Sequence, residues 1–428
     1  MSSPLRLGIA GLGTVGVGVV RIVRQQAALL SARTGRDITI TAVSARSRDK
    51  DRGVPLDDYA WEDDPVALAK RDDVDIFVEL MGGHEGPAKD AIEAAIAAGK
   101  DVVTANKALL AIHGQALAEA AEDKGLVIRY EAAVAGGIPV MKVLTEGLAG
   151  NEITRVMGVM NGTCNYILTQ MQATGQGYNA LFEEADKLGY LEADPNLDVG
   201  GIDAGHKLAL LASVAFGCQV DFDAIVLEGI QAITLEDITQ AADMGYRIKL
   251  LGVAQMTGRG LEQRMSPCLV PDQSPLGQLE GGTNMVVIEG DSVGQIVLRG
   301  AGAGMGPTAS AVMSDVIEIA RGLRLPTFGQ PAKTLRHARA ATAAVPAPYY
   351  LRMQLVDKPG ALAKVAAVLG DAGVSIDRMR QYGHQDTAAP VLIVTHKTTR
   401  TALDEALAAM KNTSVVQGEP VAIRIEEV

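Results

Sequence analysis

The sequence predicts an α/β chain in three parts: an N-terminal parallel sheet with helices between its strands, an α+β middle, and a C-terminal βαββαβ unit. Three observations predict this. A strand, a glycine-rich turn, a helix and a second strand open the chain. Strand and helix patterns then alternate as far as Ala135. Beyond an Ala/Pro-rich, basic stretch at Gln330–Pro348, the order starts afresh as strand, helix, two strands, helix, strand.

The bulk composition fits a folded chain. Of 428 residues 48% are hydrophobic and 21% charged, which excludes a disordered chain. The formal net charge is −12 and the Lys and Arg residues are scattered, which argues against nucleic acid as a partner. Cys164, Cys218 and Cys268 lie far apart without a CxxC pair, as expected for a reducing compartment without structural zinc. The N-terminus runs straight into a strand pattern, and no stretch has the uninterrupted apolar length of a membrane helix. A cytoplasmic location without membrane contact is expected.

Leu5–Ala10 reads as a buried strand, GLGTVG (Gly11 to Gly16) follows at once, Val15–Leu30 reads as an amphipathic helix, and Ile38–Val43 as the second strand. This is the order of the Rossmann-type dinucleotide fingerprint. Gly11 permits the tight turn, Gly13 lets a pyrophosphate approach backbone, and Gly16 lets helix and strand pack closely; Thr14 and Val15 open the helix whose N-terminus faces the phosphates. The second strand ends in Ser44-Ala45-Arg46-Ser47-Arg48, where NAD-selective sites carry an acid. Arg46 suits a 2′-phosphate, so NADP(H) is expected with NAD(H) as the alternative.

Val74–Leu80 is the next strand, ending in Met81-Gly82-Gly83. A helix runs from Pro87 to Ala98, a strand from Asp101 to Thr104, and a further helix from Lys107 to Lys124. Ligands in such sheets lie beyond the carboxyl ends of the strands, so Met81, Gly82, Thr104 and Lys107 fall at the site. A lysine at a helix start opposes the dipole, which favours a ligand-facing role for Lys107. Ile128–Val134 is strand-like and carries Glu131 in apolar surroundings before the turn Ala135–Pro139, with a helix expected from Pro139 to Leu148. From composition alone, Glu131 reads as a buried acid hydrogen-bonded to that turn; a carboxylate with carbonyls would also suit an oxygen-ligated cation.

Thr154–Val159 is a strand leading to Met160-Asn161-Gly162-Thr163-Cys164-Asn165-Tyr166 and a helix to Ala173; a second helix, Phe182–Leu188, is capped by Gly189. GYLEADPNLDVGGIDAGHKLALLA, from Gly189, gathers Glu192, Asp194, Asp198 and Asp203 ahead of Lys207. An EF-hand reading fails, since from Asp194 the sixth position is Val199 and the twelfth Gly205. Asp203 and Lys207 share one helix face. Their apolar neighbours predict partial burial, which makes Lys207 a candidate proton donor; the bland reading is a weak surface ion pair.

Together GLGTVG, VTANKALLA (103–111), EAAVAGGIPV (131–140), GVMNGTCNYIL (158–168), the Gly189 run and GAGAGMGPTASAVMSD (300–315) make the chain resemble homoserine dehydrogenase of the longer bacterial type. The resemblance implies reversible NAD(P)H-dependent reduction of L-aspartate 4-semialdehyde to L-homoserine, within threonine, methionine and isoleucine biosynthesis. It implies Lys207 as acid/base, with Lys107 near the reacting carbon. It also implies Glu192 and Asp203 at the substrate ammonium, with Asp198 as a further candidate, and Gly189 at the cofactor. Gly302 or Gly304 should close over the nicotinamide. Glu131, with backbone oxygens of Val134, Gly136 and Ile138, matches a monovalent cation site for sodium or potassium. His206 is read as structural. A homodimer or homotetramer is expected.

Tyr350–Val356, DKPGALAKVAAVLGDAG, Val374–Ile376, Val391–Thr395, Thr401–Met410 and Val421–Ile425 supply the ferredoxin-like βαββαβ order. With Asp357-Lys358-Pro359-Gly360 after the first strand, this unit resembles an ACT domain, which implies L-threonine as effector or a role in oligomerisation alone. The expected division is 1–135 (completed by 302–325), 136–301 for catalysis and dimerisation, a linker at 326–348, and 349–428. Two rival functions remain at this stage: a non-catalytic amino-acid-sensing protein, and a dehydrogenase for another amino-acid semialdehyde.

Overall fold

A computed structural model describes residues 3–191, 194–381 and 388–428. Its first sheet is formed by β1 (Leu5–Ala10), β2 (Ile38–Ser44), β3 (Ala60–Glu62), β4 (Ile76–Glu79), β5 (Asp101–Thr104) and β6 (Ile128–Arg129). Every pairing in it is parallel and the order is β3-β2-β1-β4-β5-β6. Helices cover both faces, so β4 and β5 are buried at every position. The order reverses between β1 and β4, and this is the crevice where such sheets bind ligands. Gly11 lies there at φ 103°, and a Cβ on it would come within 2.4 Å of the Leu80 carbonyl oxygen.

Two differences from expectation shape the first domain. The first helix is broken at Gln26 into Thr14–Gln25 and Ala27–Thr34, and the second piece buries only Leu30. The strand expected over 128–134 stops at Arg129 because the Glu131 N–H turns away from the sheet to the Asp315 carboxylate, 2.9 Å off. Helix Met305–Ala320 returns to this domain and packs on Thr14–Gln25 so closely that a Cβ on Gly18 would lie 2.8 Å from the Ala309 Cβ.

The second sheet contains β7 (Ile153–Val159), β8 (Val226–Leu227), β9 (Tyr246–Thr257), β10 (Gly260–Pro271), β11 (Thr283–Gly290) and β12 (Gly294–Ala301). Beyond them come β13 (Tyr349–Val356), β14 (Ile376–Gln381), β15 (Ala388–Thr395) and β16 (Val416–Ile425). Strands β8 to β12 are not among the elements read from the sequence. β13 to β16 form the βαββαβ unit with helices Ala361–Asp371 and Arg400–Lys411, in the order β16-β13-β15-β14.

This unit is not a separate bead. β16 pairs in parallel with β10 at Cys268↔Arg424 and Leu269↔Ile425, so one sheet runs through the middle and C-terminal parts. Glu426, 4% exposed, ties the junction. It pairs with Arg264 of β10 and Arg424 of β16, and lies 3.6 Å from Arg155 of β7. Arg155 in turn holds Glu289 at 2.6 Å. Nearby, Arg352 of β13 binds the fully buried Asp237 at 2.6 Å. Residues 326–348 run along the middle part, with Leu261 bridged to Ala340 and the Val345 N–H bonded to Glu262. Among the described residues, no helix is long and apolar enough to cross a membrane.

Candidate active site

The carboxyl ends of β1, β2 and β4 border a cavity of about 810 Å³ lined by Gly11, Gly13, Arg46, Met81 and Gly82. A Cβ on Gly13 would meet nothing within 4 Å, so the turn presents bare backbone to this space. A Cβ on Gly16 would lie 2.0 Å from the Gly11 carbonyl oxygen, which accounts for the third glycine as a packing requirement. These features fit a dinucleotide: an open glycine turn, a helix N-terminus at Thr14 and a cleft of sufficient size. Arg46 is exposed on the cavity wall, and Lys50 and Arg52 join it there. Arg48 is not among the lining residues.

Glu79 organises the floor. It is fully buried at the end of β4, where its carboxylate accepts from the Met81 and Gly82 N–H groups (2.7 and 3.1 Å) and from the Thr104 hydroxyl (2.6 Å). Burial pushes its pKa up, against those hydrogen bonds. Thr104 is thus a clamp between strand ends, and its hydroxyl also accepts from the Asn106 N–H. Asn106 caps helix Lys107–Glu122 and donates to the Gly83 carbonyl at 2.6 Å. Lys107 thus directly follows a residue tied to Gly83, which lines the nucleotide cleft.

Helix Ile202–Phe216 brings the second cluster to Lys107. Asp203, 5% exposed, lies between two lysines: Lys207 Nζ is 2.6 Å from Oδ2 and Lys107 Nζ 3.0 Å from Oδ1. Desolvation raises the Asp203 pKa, but the two ammonium groups outweigh it and hold the carboxyl well below the usual range. The Lys207 side chain is 12% exposed, so the weak surface ion pair does not describe it. Lys207 also donates to the Met160 carbonyl at 3.0 Å. Asn161 caps helix Gly162–Thr174 through Oδ1, while its Nδ2 donates to Asp198 at 2.8 Å and Asp203 at 3.3 Å. Asp198 is buried in this network, whereas Asp194 caps the short helix Pro195–Val199. His206 stacks on Phe222 with centroids 4.3 Å apart, and burial pushes its pKa down. Glu192 lies outside the described residues.

Gly189, at φ 73°, ends helix Tyr178–Lys187. Gly304 caps helix Met305–Ala320, and Gly302 lies against Asn284. Gly302 is also packed on the Ala135–Ile138 turn: a Cβ on Gly136 would lie 2.3 Å from the Gly302 carbonyl oxygen. Glu131 caps the next helix, its two oxygens accepting from the Met141 and Lys142 N–H groups at 2.9 Å each. Burial and the neighbouring Asp315 push its pKa up to about 7. The Ile138 carbonyl accepts from Val140 at 2.8 Å, and the Val134 N–H bonds back to Glu131. Among the described residues no group of three or more His, Cys, Asp or Glu could hold a metal ion; a site of one carboxylate and backbone carbonyls is a different arrangement.

Glu79, Asn106, Asn161 and Asn284 are the polar residues that sequence reasoning missed. An acid inside the apolar run VDIFVELM, and Asn106 and Asn161 just beyond strand ends, were the available signals; Asn284 lies within β11 and offered none.

Comparison with known proteins gives a consistent result. The family model for homoserine dehydrogenase matches residues 139–317, that for its NAD-binding domain 11–131, and that for the ACT domain 349–414. The homoserine dehydrogenase of Neisseria gonorrhoeae is 42% identical over 431 residues, covering 99% of each chain. A crystal structure of a homoserine dehydrogenase from Thiobacillus denitrificans is 38% identical with a TM-score of 0.93, covering 99% of this chain and 98% of that one. A hyperthermophilic archaeal homoserine dehydrogenase in complex with NADPH is 26% identical with a TM-score of 0.63, over 75% of this chain and 98% of its own.

Proposed function

The chain belongs to the homoserine dehydrogenase family of NAD(P)-dependent oxidoreductases, and from that premise we propose that it interconverts L-aspartate 4-semialdehyde and L-homoserine, with NADP(H) as the preferred cofactor. The observation that carries the reading is Asp203 held between Lys207 and Lys107, the latter directly after Asn106, which bonds to Gly83 of the nucleotide cleft. When bound, the nicotinamide supplies the hydride that the aldehyde carbon accepts. Two Lys207 N–H groups are directed to Asp203 and Met160. The third we assign to the substrate oxygen, to which it gives a proton as negative charge develops there. Lys107 adds a second positive charge to the same region. Asp203 keeps both ammonium groups oriented, and the family resemblance assigns the substrate ammonium to it together with Glu192. The reverse reaction returns the hydroxyl proton to Lys207. Purified protein should oxidise NADPH when given aspartate semialdehyde; no turnover would remove the enzyme reading in favour of an amino-acid-sensing protein.

Arg46 carries the cofactor preference. Replacing Arg46 with Ala should raise the KM for NADPH by about tenfold or more, the scale of a lost charge-assisted hydrogen bond, and leave that for NADH nearly unchanged. Equal changes for both cofactors would show that Arg46 does not meet a 2′-phosphate.

The ACT domain supports L-threonine as a feedback effector in a homodimer or homotetramer. Inhibition of the full-length enzyme by threonine tests this. Turnover that threonine leaves unchanged would reduce the domain to an oligomerisation role, with the catalytic reading intact.

For a monovalent cation the fit rests on Glu131. It is 2% exposed, and no ion pair to its carboxylate is present among the described residues. With backbone oxygens of Val134, Gly136 and Ile138, it would hold sodium or potassium, and the ion would offset the charge that burial disfavours. A folded pKa raised from 4.5 to about 7 means the folded state binds this proton more tightly than the unfolded chain. Stability is therefore lost as pH rises from about 4.5 to about 7. Sodium or potassium should raise the thermal midpoint at pH 8 relative to choline at equal ionic strength, should not do so at pH 5, and should lose the effect in Glu131→Gln. No difference from choline at pH 8 would rule the site out.

A further inference from the structure

We propose that Asn284 is a positioning residue for Lys207, acting through the backbone carbonyl of Met160. The inference rests on the reading of Lys207 as the proton donor. Asn284 stands near the start of β11, 2% exposed, and reaches across the end of β7. Its Nδ2 donates to the Met160 carbonyl at 3.0 Å, and Lys207 Nζ donates to the same oxygen at 3.0 Å. One carbonyl, just past the end of β7, is therefore fixed from one side by an amide and presents its other lone pair to the ammonium. The orientation of the amide is decided by chemistry: a carbonyl only accepts, so Nδ2 and not Oδ1 must face it.

Two further observations separate this from ordinary packing. Among the described residues, the buried Asn284 Oδ1 has no hydrogen-bond partner. A buried unpaired acceptor is destabilising, and leucine, of similar shape, would avoid the penalty. A residue present despite that penalty points to a use for its donor. Gly302, in the segment expected to close over the nicotinamide, lies flat against the Asn284 amide, where a Cβ would come within 1.9 Å of Nδ2. No side chain can intervene, so Asn284 is held between the cofactor-side segment and the carbonyl that orients Lys207. Loss of the amide frees the Met160 carbonyl to shift, and a misplacement of about 1 Å at the ammonium is on the scale that costs about 10²-fold in rate.

The experiment compares full-length Asn284→Leu and Asn284→Asp with Lys207→Ala. Turnover is followed against pH, together with NADPH affinity from fluorescence titration and the thermal midpoint. In Asn284→Leu, kcat should fall by about 10- to 100-fold while NADPH affinity stays within about twofold and the midpoint holds or rises. Asn284→Asp keeps the shape, loses the donor and adds a negative charge near the ammonium. The limb of the pH profile that disappears in Lys207→Ala should move to higher pH in this variant. An unmoved limb in Asn284→Asp, or a loss of kcat in Asn284→Leu that tracks a lowered midpoint, would overturn the proposal and make Asn284 a core residue. Wild-type turnover in Lys207→Ala would remove the acid role on which the inference stands.

Discussion

Lys207→Ala should lower kcat by about 10²- to 10⁴-fold, the range for a positioned general acid. The geometry indicates why the loss should fall on kcat. Lys207 is one turn along the helix from Asp203, at 2.6 Å, and is held a second time by Met160. Its replacement leaves Asp203 paired with Lys107, 3.0 Å away, so no buried charge is abandoned and the fold should persist. The nucleotide cleft, built on Gly11, Glu79 and Met81, is untouched. NADPH should therefore bind Lys207→Ala with wild-type affinity, as fluorescence titration would show. Arginine should not rescue the rate, because a guanidinium stays protonated and does not return a proton in the working pH range. A kcat within about threefold of wild type would move the acid role elsewhere, with Lys107 the next residue to replace.

The largest effect on stability is expected at Glu426. Glu426→Ala should cost about 3 kcal/mol, at the lower end of what breaking a buried ion pair costs. Three arginines meet this carboxylate: Arg155, Arg264 and Arg424. All three keep other partners, Arg264 with Glu262 at 3.1 Å, Arg155 with Glu289 at 2.6 Å and Arg424 with the Val345 carbonyl at 2.8 Å, which limits the damage. The sign of the pH dependence follows from its pKa. Desolvation pushes the carboxyl up, but Arg264, Arg424 and Arg155 outweigh it, and the folded value lies below the ordinary 4.5. The stabilisation is thus fully present above that value and is lost as pH falls through the depressed one. Glu426→Gln should show less of this acid loss than the wild type. Urea midpoints at pH 7 and pH 4 for the three proteins measure both effects, and identical midpoints would show that the cluster does not hold the junction.

The two expectations differ in how far they were legible. The Rossmann-type opening could be read because its glycines answer local demands: a tight turn at Gly11 and a close approach at Gly16. Lys207 could be placed against Asp203 because four residues along a helix is a local relation. The Glu426 cluster could not be read. Its members come from β7, β10, β16 and the tail, and only the sheet brings them together. The same holds for Glu79, whose partners at Met81, Gly82 and Thr104 depend on two strands ending side by side. The basic Ala/Pro-rich stretch read as a linker, but pairing of Ala340 with Leu261 is a matter of tertiary context. Strands β9 to β12 were not read: β9 to β11 are largely buried runs that resemble any other apolar stretch, and β12 is largely exposed.

The position of β16 has a consequence for how the protein is made. It is synthesised after β10 and β13, yet it lies between them in the interior of the long sheet. Until the ribosome has delivered residues 416–425, β10 and β13 each present an open edge, and open edges recruit other chains. A premature stop codon shortly before Val416 would spare Lys107, Asp203 and Lys207, and still yield a product prone to aggregate. Residues 416–425 thus decide whether the sheet closes: only a chain that includes them can fill the gap between β10 and β13.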